Sequence, residues 1–304
     1  MKRAVLFAGQ GSQVPGMGRD LYDRYDRFRE IFDLLPEEQK RIAFEGPEEA
    51  LRDTVNTQPI LLAFGLGVWQ VLTDHGFRAD FAAGLSLGEY TALAAAGVFQ
   101  PEQAVRLIQF RADHMAEASK GLDIAMSAVL GLDEENETEC CRRASADGIV
   151  EPANFNCPGQ IVISGESAAV EKAEQYAKEA GAKRCMRLPV SGPFHTSFMD
   201  PAGKALKERF ETESFGEPAF PVYFNATGET AGRSEIPDLL VRQVSHPVRF
   251  EQIIRNLIAE GTEQFVEIGP GKTLSGFVRR TDRSKKTVTI ETADELEAFI
   301  GQLA

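Results

Sequence analysis

A serine framed by glycines, Gly84-Leu85-Ser86-Leu87-Gly88, is the segment of this 304-residue chain best placed to do covalent chemistry. Small flanking residues let a chain turn sharply from a strand into a helix, so the hydroxyl projects from the elbow above the helix N-terminus. The Leu87 N–H is then placed to donate to a developing oxyanion. The competing reading is a structural serine, because the bare pattern arises by chance in many chains. The surroundings favour a nucleophile: residues 80–85 read as a strand, and the alanine-rich stretch from Gly88 to Gly97 reads as a helix.

A nucleophilic serine needs a base, and the chain offers four histidines. His75 closes a helix, where it complements the dipole. His114 sits mid-helix, and His246 precedes Pro247 in a loop. His195 alone follows a Gly-Pro turn, in Ser191-Gly192-Pro193-Phe194-His195-Thr196, which fixes the backbone just before the ring. It comes well before the C-terminal region in which an ordinary α/β-hydrolase keeps its histidine, and no acid-bearing loop separates it from Ser86. A dyad is expected. Arg111, on a helix soon after the elbow, reads either as a solvated helix residue or as a bidentate clamp on a substrate carboxylate.

Other candidates fail on spacing. Gly9-Gln10-Gly11 lacks the third glycine of a dinucleotide fingerprint, because position 14 is Val14. Gly271-Lys272-Thr273 would need a glycine at Val266 to close a P-loop. The simpler role of Gly9 to Gly11 is to bring a backbone N–H close to the reacting carbonyl. The basic run from Arg279 to Lys286 is either a solvated face or a docking patch for an acidic partner.

The elements that must position these residues alternate. Strands are expected at 4–8, 80–85, 221–225 and 264–268, and helices at 18–34, 58–74, 88–97, 101–119 and 249–259, which predicts an α/β core with a mostly parallel sheet. Between them, strands at 124–130, 148–154, 160–164 and 183–189 with helices at 133–146 and 167–180 read as βαββαβ, the ferredoxin-like order. The expected division is a core of residues 1–119 and 190–304 carrying a small domain at 120–189.

Composition agrees with a packed globule, since 43% of residues are hydrophobic and 26% charged. Acidic residues exceed basic ones by 46 to 33, a net charge of −13 that repels phosphate backbones, so no nucleic-acid partner is expected. The longest apolar stretch, Ile60 to Trp69, is about half a membrane span and reads as a buried helix, so no membrane partner is expected either. The N-terminal apolar run stops at Gly9, too early for a secretory signal. Cys140, Cys141, Cys157 and Cys185 have neither disulfide-framework nor metal-ligand spacing, which points to reduced thiols, no metal and a cytoplasmic location.

Taken in order, several segments resemble the malonyl-CoA:acyl carrier protein transacylases of bacterial fatty-acid synthesis. They are Phe7 to Gln13, Gly84 to Tyr90, Ala153 to Gln160, Gly192 to His195, Arg242-Gln243 with Pro247 to Phe250, and Glu267 to Gly271. The resemblance covers almost the whole chain. It implies that Ser86 accepts malonyl from CoA, that His195 is general base and then acid, and that Gln243 orients His195 through its main-chain carbonyl. The N–H groups of Gln10 and Leu87 would form the oxyanion hole, and Arg111 would hold the malonyl carboxylate. Asn154, Asn156 and Gln160 become candidates for contact with CoA or its pantetheine arm. It further implies an α/β-hydrolase-like core plus a ferredoxin-like domain, no cofactor beyond the malonyl-CoA substrate, holo acyl carrier protein as partner, and a monomer. Leu85 departs from the pattern, since that position is most often histidine in this family. A serine hydrolase or thioesterase, and an acyltransferase serving a polyketide line, remain as alternatives.

Phe194, just before the histidine, carries a prediction, because a bulky residue there resembles malonyl users rather than methylmalonyl users. Excluding one methyl group should favour malonyl-CoA over methylmalonyl-CoA by about 1–3 kcal/mol in kcat/KM. Equal values for the two donors would refute it.

Overall fold

The computed structural model describes residues 1–303, which fold around two four-stranded sheets. The first is parallel, in the order β2-β1-β7-β8, with β1 at Arg3–Phe7, β2 at Phe81–Gly84, β7 at Gln264–Ile268 and β8 at Lys286–Ile290. The apolar run Ala4-Val5-Leu6-Phe7 is buried throughout, as a strand covered on both faces requires. Its side chains alternate between two cores: Val5 and Phe7 face the larger one, Ala4 and Leu6 the other. The chain is thus an α/β protein built on a parallel sheet.

The second sheet is antiparallel, in the order β4-β5-β3-β6, with β3 at Ile124–Leu130, β4 at Val150–Cys157, β5 at Gln160–Glu166 and β6 at Arg184–Arg187. Helices at Glu134–Ala144 and Ser167–Glu179 follow β3 and β5, so the elements run β-α-β-β-α-β. Register shifts at Pro152/Asn154 and Phe155/Cys157 bend β4. The bent segment pairs with the chain beside the parallel sheet: Phe155 N–H donates to Val248 O at 2.8 Å, and Val248 N–H donates to Ala153 O at 2.9 Å.

The helix Thr54–Asp74 forms the spine of the larger core. Its composition would suit a membrane span, but 83% of its apolar window is buried inside the protein. It starts four residues before the expected Gln58, because Asp53 caps it by accepting the Val55 N–H. Pro59 inside it has no N–H for the Val55 carbonyl. Two glutamine side chains supply the donors instead, Gln39 Nε2 at 3.2 Å and Gln109 Nε2 at 3.3 Å.

Two expected elements differ. The helix expected over 18–34 is two helices, Arg19–Arg24 and Asp26–Phe32, broken at Tyr25, whose backbone is extended. The break frees the Tyr22 carbonyl, which accepts from Arg29 Nε and Nη2 at 3.1 and 2.9 Å. The strand expected over 221–225 is reduced to two isolated bridges, Ala82 to Val222 (parallel) and Tyr223 to Thr230 (antiparallel), because the chain turns inward at Asn225 to reach the elbow. Within the basic run, Arg279 and Arg280 end the helix Thr273–Thr281 and Lys286 opens β8.

Candidate active site

Steric necessity builds the elbow. β2 ends at Gly84, the helix Leu87–Ala95 begins one residue after Ser86, and Ser86 itself takes φ 54° and ψ −108°. A positive φ on a residue with a Cβ is strained and must be held by its surroundings. A Cβ on Gly84 would lie 2.0 Å from the Gly88 backbone, and one on Gly88 would lie 2.4 Å from the Phe7 carbonyl oxygen. The turn closes only with glycine at both places. A Cβ on Gly9 would come within 2.6 Å of the Leu85 carbonyl, so the glycine-rich loop after β1 also packs directly against the elbow.

His195 reaches this serine from the other side of the cleft. Its Nε2 lies 2.8 Å from Ser86 Oγ, and its Nδ1 lies 2.8 Å from the Gln243 carbonyl oxygen. A carbonyl can only accept, so Nδ1 carries the proton and the Nε2 lone pair faces the hydroxyl. His195 also takes a positive φ, 63°, after the Gly192-Pro193 turn, and its N–H donates to Val244 O at 3.1 Å. Burial, reinforced by the nearby Arg111 guanidinium, pushes its pKa down to about 4. At neutral pH the ring is an uncharged base.

Arg111 is not solvated. It is 1% exposed, on the helix Pro101–Ala118, and burial lowers its pKa from the usual arginine value. Its Nη1 donates to Gln58 Oε1, while Nη2 donates to Gln243 Oε1 at 2.9 Å and to Ser86 Oγ at 3.0 Å. Its Nε has no partner among the described residues, and no carboxylate hydrogen-bonds the guanidinium. Ser86 Oγ thus accepts from Arg111 while it donates to His195.

These groups face a cavity of about 300 Å³ between the two sheets. Gln10, Leu87, Phe194, Asn154, Asn156 and Gln160 all line it, with Leu85 beside the serine. Gln10 is steadied by Thr54 Oγ1, which donates to its Oε1 at 2.9 Å. Asn154 and Asn156 lie on one face of the bent β4, and Asn156 Oδ1 is buried without a partner among the described residues. Gln160 accepts from Arg280 at 2.8 Å, a contact that spans from the helix Thr273–Thr281 to the antiparallel sheet. Every sequence-predicted residue except Gln243 therefore borders one cleft, and Gln243 lies buried behind it, joined to His195, Arg111 and Ser86. Three others were missed: Gln58, which holds Arg111, and Asn225 and Glu89, which brace the elbow. Glu89 was readable as the one charged residue in an apolar helix, whereas Gln58 follows the polar Thr54, Asn56 and Thr57 and Asn225 looks like an ordinary turn residue.

A neutral imidazole aimed at an elbow hydroxyl, beside helix N–H donors, is the equipment of a serine acyl-transfer site. Residues 5–297 match the family profile described as acyl transferase domain. The malonyl CoA-acyl carrier protein transacylase of Bacillus subtilis is 42% identical over 308 residues, covering 99% of this chain and 97% of that protein. The MCAT structure from Streptococcus pneumoniae superimposes with a TM-score of 0.94 at 42% identity, covering 99% of this chain and all of that one. A malonyl-transacylase solved in complex with a type II PKS acyl-carrier protein gives 0.95 at 37% identity, covering 99% and 100%. The chain belongs to the malonyl CoA-acyl carrier protein transacylase family of acyl transferases.

The lowered His195 pKa fixes a pH dependence. The ring stays neutral as pH falls until about 4. The acid limb of kcat/KM, which reports the free enzyme, should therefore lie well below the ordinary histidine midpoint of about 6.5. Once a substrate carboxylate offsets the Arg111 charge, the limb of kcat should move upward. Parallel pH profiles of kcat and kcat/KM check this, and a shared midpoint near 6.5 would refute it.

Proposed function

We propose that Ser86 carries the malonyl group between two thiols, with His195 as its base and acid. The protein transfers malonyl from malonyl-CoA to the phosphopantetheine thiol of acyl carrier protein, supplying fatty-acid synthesis. The observation that carries the residue assignment is the Ser86 hydroxyl, held between His195 Nε2 at 2.8 Å and the buried Arg111 Nη2 at 3.0 Å.

The malonyl carboxylate takes Arg111 Nη2 from the serine, because a charge-assisted hydrogen bond to a carboxylate is stronger than one to a hydroxyl. Ser86 Oγ then attacks the thioester carbonyl as its proton passes to His195 Nε2. The Gln10 and Leu87 N–H groups receive the oxyanion; Leu87 is the first helical residue, so its N–H has no partner within the helix. The tetrahedral species collapses, the C–S bond breaks, and the CoA sulfur leaves with the His195 proton. In the second half the carrier thiol gives its proton to His195 and attacks the malonyl ester. The C–O bond to Ser86 breaks, and the proton returns to Oγ. The Gln243 carbonyl accepts from Nδ1 throughout, serving where a triad would place an acid.

Asn154, Asn156 and Gln160 contact CoA or the pantetheine arm, and Phe194 limits acyl size; their places on the cleft wall support these roles. The fold reads as an α/β-hydrolase-like core, 1–119 and 190–304, with a ferredoxin-like domain at 120–189. The β4-β5-β3-β6 order supports the second name. The working protein is a cytoplasmic monomer that needs no cofactor or metal and binds neither nucleic acid nor membrane. The similarity to a transacylase bound to a type II PKS carrier supports a second reading, in which the recipient carrier belongs to a polyketide line.

Intact mass spectrometry tests both halves. Mixing with malonyl-CoA should add one malonyl group to the protein, and adding holo carrier should move that group onto the carrier. Ser86→Ala should abolish the adduct, and His195→Ala should slow turnover by roughly 10²–10⁴-fold. An undiminished adduct in Ser86→Ala, or malonate released to water in place of acylated carrier, would overturn the proposal.

A further inference from the structure

Three consecutive peptide units form the elbow, and nearly every polar group on them has a partner. The Leu85 N–H donates to Phe7 O at 3.1 Å, and the Leu85 carbonyl accepts from Gly88 N–H at 3.0 Å. The Ser86 carbonyl accepts from Glu89 N–H at 3.1 Å and from Gln243 Nε2 at 2.9 Å. Two groups remain that no helix or strand can reach, the Gly84 carbonyl and the Ser86 N–H. Both go to one side chain: Asn225 Nδ2 donates to Gly84 O at 2.8 Å, and Asn225 Oδ1 accepts from Ser86 N–H at 2.7 Å. The Leu87 N–H, the oxyanion donor, is then left unpaired among the described residues.

Asn225 is itself held. It is fully buried, its N–H donates to Glu89 Oε2 at 2.5 Å, and its carbonyl accepts from Arg249 N–H at 2.8 Å. Glu89 is also fully buried, and burial pushes its pKa up to about 8, so a neutral acid stands beneath the elbow at neutral pH. Because Glu89 lies in the first turn of the helix that Ser86 opens, the brace ties that helix back to the turn carrying Asn225.

We infer that Asn225 is a positioning residue for the acyl transfer: its side-chain amide clamps the peptides on either side of Leu85 and so aims the Leu87 N–H at the oxyanion. The inference rests on the reading of Ser86 as nucleophile. An amide is the side chain that both donates and accepts here; an aspartate could take the Ser86 N–H but would face the Gly84 carbonyl with a second acceptor. Leaving that carbonyl unpaired lets the strained Ser86 backbone relax and turns the oxyanion donor away, while the Arg111 clamp stays in place.

The test is the infrared carbonyl stretch of the malonyl–Ser86 ester, isolated with ¹³C-labelled malonyl-CoA, in wild type and in Asn225→Asp. In wild type the band should fall below that of a free ester because the oxyanion donors polarise it. In the variant the ester should still form, but its band should return toward the free value, with kcat down about 10²-fold and KM little changed. Asn225→Ser is read in the same way if the aspartate variant does not fold. An unshifted band with wild-type kcat in a folded variant overturns the positioning role. No ester band in wild type overturns the nucleophile assignment, and the inference with it.

Discussion

A buried positive charge without a carboxylate partner is the constraint on which the rest of the site depends. Arg111 is buried at the wall of the cavity, yet its hydrogen-bond partners are two glutamines and the serine hydroxyl. Burying an unpaired charge is costly, and proteins ordinarily pair it with an acid. Here the neutral amides of Gln58 and Gln243 hold the guanidinium without cancelling it. The uncancelled charge leaves a positive group on the cleft wall beside Ser86 and His195.

The same charge works with burial to keep His195 a neutral base. Gln243 links the two, because its main-chain carbonyl accepts from the imidazole while its side chain binds Arg111 and the Ser86 carbonyl. His195, Arg111 and the Ser86 elbow are therefore connected through one buried residue. The two sheets divide the remaining work. The parallel sheet delivers the elbow at the end of β2 and the Gln10 loop at the end of β1, while the bent β4 presents Asn154 and Asn156 across the cleft.

Much of this was legible in the residues. The apolar run Ala4 to Phe7 marked β1, and glycines at 84 and 88 marked the elbow, because steric closeness leaves only one residue type there; β8, the polar alternation Lys286-Thr287-Val288-Thr289-Ile290, was not expected. His195 could be separated from three other histidines by its turn. The break at Tyr25 was not legible, since the Arg29 guanidinium folds back onto the Tyr22 carbonyl, a contact that apolar periodicity does not mark. The 221–225 segment has the residues of a strand, but Asn225 is drawn inward by partners at 84, 86 and 89. Gln58 and Asn225 act through residues more than 50 positions away. Local spacing carries no trace of such contacts.

The most direct measurement is kcat/KM for malonyl-CoA and acetyl-CoA, with the same carrier protein, in wild type and Arg111→Ala. An arginine left facing acetyl should cost the wild type about 2–5 kcal/mol relative to malonyl, as when one partner of a buried charge pair is removed. The account predicts that Arg111→Ala depresses malonyl transfer strongly and leaves acetyl transfer similar or improved. A fall by the same factor for both donors would contradict it, because Arg111 would then support the fold or the serine rather than read the carboxylate.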